Sequence, residues 1–407
     1  MRIALLTNEY PPHVYGGAGV HVEYLARELA RADGGRHAVD VLCFGDQREE
    51  HGNLRVRGIG AQPPLPAQDP RHARLLDALA RDLAMAGAVE RPDIVHCHTW
   101  YSHLAGCLAR PLTGARLVLT THSLEPHRPW KVEQLGTAYH ASTWIERTAY
   151  QNADGVVAVS AAMKADVQAL YGVPPERVRV IHNGIDLDEY RPRHDPATLR
   201  RLGVDPDLPI VLFVGRITRQ KGILHLVRAV RHLAPGVQVV LCAGAPDTPE
   251  IGTEMRELVE AARHDAVVPI VWIAEMLPKA DAVVLYSHAA VFVCPSVYEP
   301  FGIINLEAMA CETPVVGSAV GGIPEIVVPG ETGLLVPFEP EGDGSPEPRD
   351  PAAFQRSLAA AVNELMGAPD RRAAMGRAAR ARVEAHFSWR SIAAATLGFY
   401  GELLAGG

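Results

Sequence analysis

Short apolar runs alternate along the chain with stretches whose apolar positions recur every three to four residues. The first run, residues 3–7, reads as a strand. A helix follows over about residues 20–32, with Val22, Leu25, Ala26 and Leu29 on one face. Strands are predicted at 39–44, 93–98, 117–121, 155–160 and 178–181, and helices near 74–89, 99–110, 133–151 and 161–171. A second series begins at 210–214 and continues with strands at 237–241, 268–273, 290–294, 314–316 and 333–336, helices lying between them. From residue 351 the pattern is helical in three stretches, the last after Trp389. Runs apolar on both faces that alternate with helices imply parallel sheets covered on both sides. The chain therefore reads as α/β, in two Rossmann-like doubly wound domains that divide at residue 187/188. Such halves take a ligand between them, at strand carboxyl ends. Residues 62–70 read as a surface loop, 188–196 as a linker and 339–350 as a mobile loop.

A length of 407 residues suits two or three domains. A hydrophobic content of 48% with 21% charged residues is that of a soluble globular protein. A net charge of −8 argues against nucleic acid as partner, so any anion site must be a local basic pocket. No apolar run is long enough to span a bilayer, and no leader precedes residues 3–7, so no membrane association is expected. The six cysteines form no Cys-x-x-Cys pair, and Cys43, Cys97, Cys242 and Cys294 fall in apolar runs. Buried, reduced thiols in a cytoplasmic protein are expected. In His96-Cys97-His98 the two histidines share one strand face while the thiol points away, so the three do not converge on one metal ion.

Residues 296–307, Ser-Val-Tyr-Glu-Pro-Phe-Gly-Ile-Ile-Asn-Leu-Glu, join the strand run ending at 295 to a helix. Glu299 sits at the strand's carboxyl end, and Gly302, Ile303 and Ile304 at the helix start. Exposed N–H groups and the positive end of the helix dipole favour an anion there, and Gly302 lets the backbone approach it. Glu307, a turn further on, is placed to reach hydroxyl groups.

After the first strand of the second half comes Gly215-Arg216-Ile217-Thr218-Arg219-Gln220-Lys221-Gly222. Arg216 and Lys221 bracket a helix start, which suits a pyrophosphate; a solvated charged loop is the bland reading. The loop Gly16-Gly17-Ala18-Gly19 holds the matching place in the first half and is either a phosphate-facing loop or a plain turn. Neither loop is a dinucleotide fingerprint or a Walker loop. His122 ends a strand at the same edge and is a site candidate. Trp100, Tyr101 and His103 follow another strand end, either lining a sugar site or serving as core aromatics. Arg128 and Lys131 lie in the proline-stiffened loop after His122, as partners for an acceptor phosphate or as surface charges. The Asp186/Asp188 and Asp205/Asp207 pairs lie in linker-like segments, so no metal is expected there.

Two glutamates seven residues apart, with Pro-Phe-Gly after the first, resemble the signature of retaining glycosyltransferases of the GT-B fold. The chain resembles family GT4 over essentially its whole length, and within it the actinobacterial glycogen synthase group. Residues 8–12, 96–101, 121–126, Arg216, Lys221 and 299–307 carry the resemblance. It implies an active site in the cleft between the domains and a final helix, 388–407, that returns to the first domain, leaving 188–387 as the nucleotide-sugar domain. It implies ADP-glucose as donor substrate, with no cofactor and no metal. Arg216 and Lys221 would stabilise the leaving diphosphate. Glu299 would hold the sugar hydroxyls, and backbone from Phe301 to Ile304 would meet sugar and phosphate. Glu307 would bind ribose, and His122 would face the donor glucose. Gly17 and Ala18 fall on the donor side, and Tyr101, Arg128 and Lys131 on the acceptor side. Polymer-elongating bacterial glycogen and starch synthases carry Lys near Tyr15 or Gly16 and Asp at Thr99. With the Arg128/Lys131 pair, these departures favour glucose 1-phosphate as acceptor over a glucan end, giving maltose 1-phosphate. A homodimer is compatible with this reading.

Overall fold

The computed structural model describes every residue except 15, 266, 276, 343, 344, 346 and 407. The chain forms two compact units: Met1–Gly184 with Trp389–Gly407, and Ile185–Ser388.

The first unit contains β1 (Arg2–Leu6), α1 (Gly17–Gly35), β2 (Ala38–Phe44), β3 (Arg48–His51), β4 (Leu54–Ile59), α2 (Ala73–Ala88), β5 (Ile94–His98), α3 (His103–Thr113), β6 (Arg116–Thr121), α4 (Val132–Leu135), α5 (Ala138–Asn152), β7 (Gly155–Ala158), α6 (Ala161–Tyr171) and β8 (Val178–Val180). Its eight strands run in the order β3-β4-β2-β1-β5-β6-β7-β8, all parallel except the β3–β4 pair. The C-terminal helix Trp389–Ala405 packs on α1. One core joins Val22, Leu25 and Leu29 of α1 to Ile3, Leu5, Val39 and Val41 of the sheet and to Ile392, Phe399 and Tyr400 of that helix.

Three features differ from the sequence reading. The hairpin β3–β4 was not expected: β3 is a polar edge strand, and Arg55 and Arg57 interrupt the apolar positions of β4. The helix expected from residue 99 begins at His103, because Thr99 takes φ +67° and a 3₁₀ turn, Trp100–Ser102, intervenes. The helix expected over 133–151 is two, α4 and α5, because Gly136 turns the chain with φ +56°.

The second unit contains α7 (Pro196–Arg201), β9 (Ile210–Arg216), α8 (Ile223–Ala229), β10 (Gln238–Gly244), α9 (Pro249–Asp265), β11 (Ile270–Ile273), α10 (Lys279–His288), β12 (Ala289–Cys294), α11 (Ile303–Ala310), β13 (Val315–Ser318), α12 (Ile323–Ile326), β14 (Gly333–Val336), α13 (Pro351–Met366) and α14 (Pro369–His386). Its sheet is wholly parallel, in the order β11-β10-β9-β12-β13-β14. The order reverses at β9/β12, so the loops after those two strands open on one carboxyl edge. The 339–350 segment, in its described residues, is tied at its base by an antiparallel bridge between Pro340 and Pro348.

Candidate active site

In the second unit the carboxyl ends of β9 and β12 bring the charged residues together. Arg216 is the last residue of β9, and its Nη1 donates to Asp247 Oδ1 at 2.7 Å. Asp247 lies beyond neighbouring β10, whose Gly244 is in register with Arg216. Lys221 ends a 3₁₀ turn capped by Thr218, whose hydroxyl accepts from the Lys221 N–H. Gly222 follows at φ +62°, and a Cβ there would lie 2.0 Å from the Pro295 carbonyl oxygen. Only glycine lets this loop lie so close to the end of β12. The Val297 N–H also donates to the Gln220 carbonyl at 3.0 Å, fastening the two loops.

That fastening sets Lys221 against Glu299. Lys221 Nζ donates to Glu299 Oε2 at 2.7 Å, and Ser296 Oγ donates to the same oxygen at 3.0 Å. Glu299 is 5% exposed, so its charge is held by these two donors. Gly321 and Gly322, after β13, press on it from behind. Gly321 has φ +53°, with a Cβ position 1.8 Å from the Glu299 carbonyl oxygen, and the Gly322 N–H donates to that oxygen at 3.0 Å. Gly302, at φ +104°, turns the chain into α11. Phe301 is buried with its ring tilted toward Phe387, so its side chain belongs to the core. Ile303 and Ile304 form the first turn of α11. Glu307 accepts from Tyr190 at 3.0 Å and Tyr286 at 2.8 Å; burial raises its carboxyl above the usual range against the lowering effect of the two hydroxyls.

In the first unit the corresponding edge is lined by histidines. His98 Nδ1 lies 3.0 Å from His122 Nε2, and His21 of α1 approaches both rings, anchored through Nδ1 to Asn183 Oδ1 at 2.7 Å. His96 lies behind His98 with ring centroids 4.3 Å apart and is engaged by Tyr400 and Thr120. Cys97 points the other way, beneath Gly106 of α3, where a Cβ would meet its Sγ at 2.3 Å. Burial, and then the neighbouring imidazoles, hold His98 and His122 well below the usual histidine range, so the cluster is neutral near pH 7.

Thr99 donates to Asn8 Oδ1 at 2.9 Å. Trp100 and Tyr101 stack at 4.0 Å; Trp100 and His103 are buried, and Tyr101 is half-buried. Gly17 and Ala18 open α1, and Gly16 just before them donates its N–H to Glu9 Oε2 at 2.7 Å. One N–H group of this loop thus holds the chain's own carboxylate. Tyr15 lies outside the described residues.

Arg128 and Lys131 turn inward. Lys131 is buried with Nζ 3.3 Å from Glu125 Oε1, and Arg128 Nη1 lies 3.8 Å from the same oxygen and donates to Ser123 Oγ at 3.3 Å. Burial and then the Arg128 charge pull Lys131 down to about 8, with Glu125 opposing. The two cations thus serve one buried glutamate and do not form an open pair. Both Asp-x-Asp pairs are turn caps, Asp186 accepting from the N–H groups of residues 188 and 189 and Asp205 from that of 207.

Sequence reasoning passed over Asp247, Ser296, Gly321, Gly322, His21 and Asn183. A Gly-Gly pair after a strand was a usable signal for two of them; the others are distant in sequence from what they hold.

The profile described as Glycosyltransferase Family 4 matches residues 15–189, and that described as Glycosyl transferases group 1 matches residues 196–344. The chain belongs to the family 4 glycosyltransferases, and its two parallel-sheet units are those of the GT-B fold. It is 48% identical to alpha-maltose-1-phosphate synthase of Mycolicibacterium smegmatis, over 100% of both chains. It is 32% identical to glycogen synthase of Mycobacterium tuberculosis, covering 98% of this chain and 94% of that one. Sucrose-phosphate synthase of Thermosynechococcus elongatus superposes with a TM-score of 0.79 at 28% identity over 100% of both chains.

Proposed function

We propose that the protein is a retaining α-1,4-glucosyltransferase that moves glucose from ADP-glucose to glucose 1-phosphate, releasing ADP and maltose 1-phosphate. The observation that carries this reading is the 48% identity to alpha-maltose-1-phosphate synthase over the entire chain, against 32% to glycogen synthase.

The residues of the second unit suit the donor. Arg216 and Lys221 are fixed cations held by Asp247 and Glu299. As the bond from anomeric carbon to diphosphate breaks, negative charge grows on the leaving oxygen. Cations already in place stabilise it without reorganisation. Glu299 takes Lys221 and Ser296 on Oε2, and its other carboxylate oxygen is left to accept from sugar hydroxyls. Glu307 and the first turn of α11 are assigned to ribose and phosphate. The leaving phosphate oxygen accepts the proton of the acceptor 4-hydroxyl as that oxygen attacks the same face, which retains the configuration. No metal is assigned, because the side-chain cations neutralise the diphosphate.

His122 of the first unit is assigned to the donor glucose as a neutral hydrogen-bonding group. For the acceptor phosphate, Arg128 is the better candidate of the two cations. Its Nε has no hydrogen-bond partner among the described residues, and of the two cations it makes the longer contact to the Glu125 oxygen they share, 3.8 Å against 3.3 Å for Lys131. The six free, mostly buried thiols favour a reducing cytoplasm. No helix among the described residues is long and apolar enough to cross a membrane. A matrix of nucleoside-diphosphate sugars against glucose 1-phosphate, glycogen and free sugars, read by product mass, tests the reading. A product other than disaccharide phosphate from every pairing overturns it.

A further inference from the structure

Three histidines from separate elements of the first unit converge. His21 of α1, His98 at the end of β5 and His122 just past β6 present ring nitrogens that all lie within 4.8 Å of one another. His21 and His98 are buried, and His122 is half-buried and gives the group its opening. The orientation of His21 is fixed from outside the cluster. Its Nδ1 lies 2.7 Å from Asn183 Oδ1, an oxygen that can only accept, so Nδ1 carries the hydrogen and Nε2 the lone pair. That Nε2 is buried and has no hydrogen-bond partner among the described residues. An unsatisfied imidazole nitrogen is costly in a buried place. Backed by a carbonyl oxygen on the other ring nitrogen, it is also the arrangement found behind metal-bound histidine.

We propose that His21, His98 and His122 form a binding site for a zinc-type divalent transition ion, and that occupancy silences the enzyme by withdrawing His122. Three neutral imidazoles with a fourth, open position are a donor set for zinc, and imidazole also suits copper and nickel. Magnesium and calcium, which need oxygen ligands, are excluded. Zinc–nitrogen bonds of about 2.0–2.1 Å place tetrahedral ligand atoms roughly 3.4 Å apart. The 3.0 Å contact between His98 and His122 must therefore open slightly and the wider separations close, a change that ring rotation supplies. His96 stays outside the donor set, since both its nitrogens are engaged by Tyr400 and Thr120. The silencing half rests on the role of His122 proposed above; the binding half does not.

Cobalt(II) titration of the metal-stripped protein separates the two halves. One equivalent of cobalt is expected to give visible d–d absorption of a tetrahedral nitrogen site, displaced by zinc. His21→Phe should abolish the band. Asn183→Ala, which removes the group that orients His21, should weaken binding about 10–100-fold. Zinc should inhibit turnover in proportion to occupancy, and a chelator should restore it. Absence of the band in the wild-type protein overturns the site without recourse to any variant. So does a band that survives His21→Phe, or one with thiolate charge-transfer character. Zinc binding at the site with undiminished turnover overturns the silencing and points to the assigned role of His122 as the part at fault.

Discussion

Lys221→Ala probes the charge pair on which the donor site is built. The ammonium lies 2.7 Å from Glu299, and the two side chains are 18% and 7% exposed. Coulomb's law at an effective dielectric of ~20 gives an upper bound of about 6 kcal/mol for unit charges at this separation. Measured losses for one preorganised electrostatic stabiliser are ~3–4 kcal/mol, or ~10²–10³-fold in turnover. The same change leaves Glu299 nearly buried with Ser296 as its remaining side-chain donor among the described residues, so stability should also fall, by ~1–3 kcal/mol for an incompletely buried pair. The two effects separate in a double-mutant cycle. Glu299→Gln in the Lys221→Ala background removes the unpaired charge and should restore much of the stability while turnover stays low. Turnover is read as ADP release with saturating donor and acceptor, and stability by urea unfolding. Lys221→Ala turnover within about tenfold of wild type, or stability losses that simply add, would refute the reasoning.

Three further outcomes follow from the same geometry. Arg128→Ala should raise KM for glucose 1-phosphate about tenfold or more, as loss of a charge-assisted bond worth ~1.5–3 kcal/mol would, while KM for ADP-glucose stays put; Lys131→Met should instead act through stability, because it leaves Glu125 buried with less compensation. His103 is buried, and burial lowers it to about 3, so the unfolded chain takes up a proton that the folded chain refuses. Its contribution is complete above pH 6.5 and is lost as pH falls toward 3. His103→Phe should therefore remove about 2 kcal/mol from the drop in unfolding free energy between pH 7 and pH 5, read by urea titration at each pH. Turnover should survive EDTA, since the diphosphate is assigned to Arg216 and Lys221; loss with EDTA that magnesium or manganese reverses would remove that assignment.

Most parallel strands were legible as apolar runs, those such as β5, β7, β10 and β13 being buried on both faces, and the helices because α1 and its counterparts carry an apolar stripe. The polar edge pair β3–β4 carried no such signal. Thr99 and Gly136 broke two expected helices by backbone conformation, which an apolar period does not encode. At the site, Arg216, Lys221, Glu299 and Glu307 could be placed because each stands at a strand end or a helix start. What holds them was not legible. Asp247 meets Arg216 only because β10 lies beside β9, and Gly321 meets Glu299 only because β13 lies beside β12. The inward turn of Arg128 and Lys131 depended on Glu125, whose burial follows from packing against α5. His21 joins His98 and His122 across a distance in sequence that only the sheet order closes.

The acceptor decides the proposed function, and a competition measures its choice. ADP-glucose is supplied with glucose 1-phosphate and glycogen at equal concentrations of acceptor ends, and the products are weighed by mass spectrometry. Disaccharide phosphate is expected to take most of the transferred glucose and to appear in step with released ADP. Extension of glycogen with no disaccharide phosphate would contradict the proposed function.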